Sequence, residues 1–198
     1  MFSNSICSEP GCNSFSATGQ TTCLKHSPDR DASTKRCKEI LDRERYIKDI
    51  SFSGIILREL DMREKTLTTC NFSEAYFRNI DFSGSRFRLC FFPFSTFEKC
   101  RFTGCNITYT VFAGSTFFDC DFSGSDIIHT NFLGIKAEHT IFDDSDLYYS
   151  NFTNAKLSNV TFIDCNLKKA DFYATERTGV NFKYSNYEEA SFGREAVL

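Results

Sequence analysis

From Phe52 to Phe192 the apolar residues keep one register of five, without an insertion. Every fifth position from Phe52 is Phe, Leu, Ile or Met, with Ala137, Arg177 and Tyr187 as the departures. Two residues before each of these centres the side chain is usually small, as at Cys70, Ala75, Ser85, Cys90, Ser95, Cys100, Cys105 and Thr110. A period of five matches neither the 3.6 residues of a helix nor the 2 of a strand, so ordinary amphipathic elements cannot set these centres on one side. A solenoid can. If each pentapeptide makes one short side of a square and turns a corner, four of them close a coil, and stacked coils bury the large and the small residues together.

Sorting the centres by four repeats tests that idea. One face then carries Phe52, Phe72, Phe92, Phe112, Phe132, Phe152, Phe172 and Phe192. The opposite face carries Met62, Phe82, Phe102, Phe122, Phe142, Phe162 and Phe182, while the other two mix Phe, Leu, Ile and Ala. Two unbroken aromatic columns do not follow from a five-residue repeat alone, so they support four sides per turn. Ala137 is paired with Ile135 in the slot that is normally small, a swap that keeps the layer filled. Arg177, inside Thr175–Gly179, breaks the rule and predicts a distorted side in the final coil.

The unit of small residue, Asp or Asn, large apolar residue and two polar or turn residues recurs as CDFSG (120–124), SDLYY (145–149), SNFTN (150–154) and ADFYA (170–174). In this the chain resembles the pentapeptide repeat proteins. The resemblance implies an all-β solenoid, a right-handed quadrilateral β-helix of about seven coils, each rising by about 4.8 Å. Gly54, Gly84, Gly104, Gly114, Gly124 and Gly134 share the slot two after the centre and fit corners of positive φ. The Asp and Asn residues before the centres, among them Asp81, Asn106, Asp121, Asp126, Asn131 and Asp146, recur at a structural position. They are expected to bond to turn backbone rather than to form a catalytic or calcium-binding series.

Outside the register lie residues 1–30, rich in Ser, Thr, Cys and Gly. Cys7, Cys12, Cys23 and His26 follow a C-x4-C-x10-C-x2-H spacing there, with Gly11 and Gly19 available for the turns that would gather four ligands. The segment resembles the small Cys3His zinc knuckles of various bacterial proteins, which implies a closed, structural zinc site without a position for a catalytic water. The other reading is a flexible tail with unmetallated thiols. Residues 31–49 hold no Gly or Pro, and the stripe Cys37, Ile40, Leu41 and Ile47 predicts a helix capping the first coil, started at Ser27, Pro28 or Asp31. Residues 50–192 are then the β-helix, and 193–198 a short tail that leaves the last coil open or paired in a homodimer.

Charge and cysteine narrow the functional classes. A net charge of −3 argues against binding nucleic acid by neutralising phosphates. The early coils are basic at Arg78, Arg86, Arg88, Lys99 and Arg101, and the middle is acidic at Asp119, Asp121, Asp126, Glu138, Asp143, Asp144 and Asp146. With no secretory opening and no run of membrane length, a cytoplasmic protein is expected, in which the ten cysteines are thiols or metal ligands. Six of them, at 70, 90, 100, 105, 120 and 165, fill the small inward slot. A filled interior without a nucleophile–base grouping or a phosphate loop points away from an enzyme.

Apolar residues at outward slots are the candidates for contact. Phe91, Pro93, Phe94, Val111, Ala113 and Leu133 fall on one face, while Tyr109, His129 and Tyr149 stack on another beside Ile128 and Tyr148. They read either as a protein-binding or self-association surface or as cross-strand ladder packing. The chain is therefore expected to be a non-catalytic scaffold that binds a protein partner through its rod. The family resemblance supplies an alternative, a DNA-mimicking modulator of DNA gyrase, for which strong continuous negative charge would be required.

Overall fold

The computed structural model describes residues 5–193. The expected tail, Gly193 apart, lies outside the described residues, as do the first four.

The five-residue register folds as a stack of four-sided coils, a β-solenoid of about seven turns. We number its faces by their first large centre: face 1 at Phe52, face 2 at Leu57, face 3 at Met62 and face 4 at Ile47. Face 2 is a seven-stranded parallel sheet running from Ile56–Asp61 to Glu176–Thr178. Face 4 is a five-stranded parallel sheet from Tyr46–Lys48 to Asp126–Ile128. Faces 1 and 3 pair through single parallel bridges such as Val111 with Asn131 and Asp121 with Ile141. Each residue meets the one twenty positions away, as Phe77 meets Phe97 and Phe87 meets Ile107.

Packing follows from that register. Phe102 and Phe122 stack with centroids 4.4 Å apart, and Phe152 stacks on Phe172 at 4.9 Å. Across the rod, the rings of faces 1 and 3 meet edge to face, Phe142 on Phe152 at 89°, the arrangement that ring quadrupoles favour. Small hydroxyls at the inward slot satisfy the backbone within this apolar interior. Ser115 Oγ donates to the Phe92 carbonyl at 2.6 Å, and Ser125 Oγ donates to that of Phe102 at 2.7 Å. Cysteine fills the same slot, and burial pushes the thiols of Cys105 and Cys165 up to about 12. Ile135 and Ala137 are both buried in their exchanged positions.

Corners are built by two devices. Asp or Asn before a centre accepts the backbone N–H two residues on, as Asp121 does from Ser123 at 2.9 Å and Asn151 from Thr153 at 2.8 Å. The slot two after the centre is left-handed, and not for glycine alone: Phe94 (φ 56°), Tyr109 (φ 52°), His129 (φ 52°) and Tyr149 (φ 57°) adopt it as well. The spacing of Gly54 to Gly134 therefore marks the corner slot without being its requirement, because coil stacking holds other residues in the same region.

Two expectations need correction. The helix α1 spans Arg30–Arg43, capped by the Asp29 side chain, which accepts the Ala32 N–H at 2.8 Å. It stops before Tyr46–Lys48, which already forms the first strand of face 4, so Ile47 belongs to the rod and not to the helical stripe. Ile47 keeps the five-residue register two repeats upstream of Leu57, and ladder pairing with Leu67 overrides its helical spacing. Arg177 does not distort its side either. Residues Glu176–Thr178 form a strand in register with Lys156–Ser158, and the guanidinium turns over the Phe192 ring at 5.0 Å. Among the described residues, no helix is long and apolar enough to cross a membrane.

Candidate metal centre and contact surface

Turn chemistry brings the four N-terminal donors together. Pro10 and Gly11 make the centre of a tight turn in which the Cys12 N–H donates to the Glu9 carbonyl at 3.1 Å, with Gly11 at φ 80°. An antiparallel bridge of Ile6 with Phe15 sets Cys7 beside that turn. A second turn, Ala17 to Gln20 with Gly19 at φ 76°, brings the chain back, and the short helix Leu24–His26 places His26 one turn after Cys23.

The outcome is a cluster of Cys7, Cys12, Cys23 and His26 whose ligand atoms all lie within 4.8 Å of one another. Cys7 Sγ is 3.6 Å from His26 Nδ1, Cys23 Sγ is 3.5 Å from the same nitrogen, and Cys12 Sγ is 3.9 Å from Cys23 Sγ. The Cys23 N–H donates to Cys7 Sγ at 3.3 Å and draws the Cys7 thiol down to about 6, whereas burial pushes Cys23 up. Such a group of three sulfurs and an imidazole can hold a metal ion.

The cluster is continuous with the rod. Ala17 and Leu24, within and just after the loop that joins Cys12 to Cys23, are buried in the same core as Phe52, Cys37 and Leu41. Thr18 donates its N–H to the Ser51 carbonyl at 3.0 Å, and its Oγ1 accepts the Ser51 N–H at 2.8 Å. Nothing in the register signals Thr18, because it lies outside the repeat. Cys37 is fully buried and its thiol is pushed up by desolvation, in keeping with packing.

On the rod, the two groups of outward apolar residues adjoin. Tyr109 stands at the corner that ends face 4, and Val111, two residues on, belongs to face 1. Tyr109 and His129 stack with centroids 5.2 Å apart, and His129 and Tyr149 stack at 4.9 Å, with Tyr148 edge-on to both His129 and Tyr149. Lys169 closes the column, its Nζ 4.7 Å from the Tyr149 ring centre and 3.1 Å from its hydroxyl. Leu89 opens it. Both continue the spacing of twenty that marks Tyr109, so the same count along the sequence would have found them. On face 1, Phe94 is 70% exposed and Leu133 is exposed, while Phe91, Val111 and Ala113 are half-buried, as is Ile128 on face 4. From Phe91 to Asn154 the outward slots of face 1 carry no ionisable side chain. His139 lies apart from His129, on face 2 beside Asp119 and Phe118.

The family described as "Pentapeptide repeats (8 copies)" matches residues 49–88 and 95–134, and that described as "Pentapeptide repeat region" matches 115–192. The chain belongs to the pentapeptide repeat family. Among solved structures it is similar to a pentapeptide repeat protein from the Arabidopsis thaliana thylakoid lumen, at 22% identity and a TM-score of 0.36 over 46% of this chain and 59% of that one. HetL, involved in heterocyst differentiation regulation in the cyanobacterium Nostoc, matches at 12% identity and a TM-score of 0.32 over 84% and 98%. QnrB1, a plasmid-mediated fluoroquinolone resistance protein, matches at 20% identity and a TM-score of 0.29 over 74% and 80%. No curated protein matches the chain.

Proposed function

We propose that the protein is a non-catalytic interaction rod, read by a protein partner through the corner between faces 4 and 1 and stapled at its N-terminal end by structural zinc. The observation that carries the reading is the continuity of that corner. Leu89, Tyr109, His129 and Tyr149 form its ridge, and Phe94, Val111 and Leu133 extend it over the stretch of face 1, from Phe91 to Asn154, whose outward slots carry no ionisable side chain. Contiguous exposed apolar surface of this kind marks contact sites more often than scattered residues do. Ladder packing accounts for the stacked rings and seats the Phe94 ring against Gly114, yet Phe94 remains 70% exposed and Leu133 is exposed beside it.

Zinc suits the donor set on geometry. Bonds of about 2.3 Å to sulfur and about 2.0 Å to nitrogen imply tetrahedral edges of about 3.8 Å between sulfurs and about 3.5 Å between sulfur and nitrogen. Three of the six separations, at 3.9, 3.6 and 3.5 Å, match these edges, and all six lie within 4.8 Å. Free thiols throughout the rod fit a reducing compartment, so the cytoplasm is part of the reading. A DNA-mimicking gyrase modulator, the alternative implied by the family resemblance, would need a run of negative charge. Arg58, Arg78, Arg86, Arg88 and Arg101 interrupt it on faces 2, 3 and 4.

The test is capture from cell lysate by full-length protein and by Leu133→Asp, with gyrase probed alongside and folding checked by melting. A partner retained by the parent chain and lost by the variant supports the corner. Equal retention by both removes it.

A further inference from the structure

We propose that the metal centre latches a β-edge. With metal bound, Thr18 closes the N-terminal edge of face 1; without it, that edge opens. The proposal rests on the metal reading above.

Within the stack, the residue before each face-1 centre uses both backbone groups on the coil that precedes it. Asn71 donates its N–H to the Ile50 carbonyl at 2.8 Å and accepts the Phe52 N–H at 2.9 Å. Phe91 repeats this one coil later, donating to Cys70 at 2.8 Å and accepting from Phe72 at 2.7 Å. Ser51 occupies the same slot in the first coil, where no earlier coil exists. Thr18 supplies both missing partners, its N–H standing in for the absent amide and its Oγ1 for the absent carbonyl. One residue, through its backbone N–H and its hydroxyl, thus mimics a strand.

What holds Thr18 there is the loop between Cys12 and Cys23. It pairs with residues 5–8, as where Cys7 N–H donates to the Ser14 carbonyl and Ser8 N–H to that of Thr21, both at 2.9 Å, and it meets the rest of the protein at Ala17 in the core, at the Arg36 guanidinium over Gly19, and at Gln20 Nε2 donating to Ser33 Oγ at 2.5 Å. A metal ion tying both ends of the loop removes most of the entropy of closing it. Without the ion, a segment this short lacks the buried surface to hold itself in place. Helix α1 keeps Cys37 and Leu41 on the end of the core, so loss of the loop frees the edge at Ser51 and leaves the end of the rod covered. An unpaired edge is a template for another strand.

The experiment compares the full chain loaded with zinc, the chelated chain, and Thr18→Val loaded with zinc. Hydrogen exchange is read at Ser51, and metal uptake is followed by cobalt(II) absorption. Chelation is expected to speed exchange at Ser51 by about ten-fold or more and to leave the coils beyond Phe92 protected. Thr18→Val, which keeps every ligand, should take up cobalt as the parent does and still exchange faster at Ser51. Unchanged exchange after chelation overturns the latch while the metal reading stands; so does loss of protection along the whole rod. Failure to take up cobalt overturns both.

Discussion

The ring of Phe94 lies on the bare backbone of Gly114, one coil further along face 1: a Cβ on Gly114 would come within 2.6 Å of both Cδ1 and Cε1 of that ring. Gly134, at the same slot in the next coil, has nothing within 4 Å of its Cβ position. Both glycines are left-handed, at φ 69° and φ 64°. Alanine at Gly134 therefore meets only the backbone preference, a cost of about 1 kcal/mol. At Gly114 it must also lift Phe94 off its seat, so Gly114→Ala is expected to be the more destabilising of the two in urea unfolding. Equal midpoints would mean that the ring does not rest there.

Phe122 tests the filled interior. It is fully buried and stacks on Phe102 at 4.4 Å and on Phe142 at 4.8 Å. Removing a buried ring costs about 3–5 kcal/mol, and a carboxylate in its place finds no partner in this apolar column. Phe122→Asp should yield no cooperative thermal transition. A soluble variant that melts cooperatively would contradict continuous packing.

Arg177 is the inverse case, a polar side chain at an inward slot. Among the described residues its Nη1 is buried without a hydrogen-bond partner, desolvation depresses its pKa, and the Phe192 ring offers compensation. Leu157 fills the equivalent slot one coil earlier. Arg177→Leu is therefore expected to stabilise the rod by about 1 kcal/mol, seen as a higher Tm. A lower Tm would show that the contact of guanidinium and ring outweighs the orphaned nitrogen.

These sites show why parts of the molecule were legible from sequence and others were not. Phe122 and Ala137 sit in a lattice of one period, so counting alone places them inside, next to residues twenty positions away. Helix α1 and the first strand share helix-forming residues, and only the register separates Ile47 from Ile40; the stripe read from spacing merged them. The four candidate metal ligands announced themselves by residue type. Thr18 did not, because its role depends on the position of Ser51, a long-range fact that no local pattern carries. The corner was visible in two halves. Tyr109 and Val111 were assigned to different faces correctly, but adjacency across the corner comes from the folded coil.

Thiol reactivity separates the metal centre from the rod in one titration. In the zinc-loaded native protein all ten thiols should resist a disulfide reagent at pH 8. Those of Cys7, Cys12 and Cys23 are then metal-bound, and the other seven are fully packed, with Cys105 and Cys165 pushed up to about 12 by burial. The thiolate is the reactive form, so a raised pKa lowers the reactive fraction as well as access. Chelation should release three thiols, and denaturant the remaining seven. Because the Cys7 thiol is drawn down to about 6 by the Cys23 amide, its thiolate is lost only as the pH falls toward and below that value. Burial pushes Cys23 the other way, so the three sulfurs do not ionise together, and acidification is expected to release the metal as protons displace it from sulfur. Release of more than three thiols by chelator alone would show that the first coils open with the metal site, extending the coupling past Ser51 into the stack.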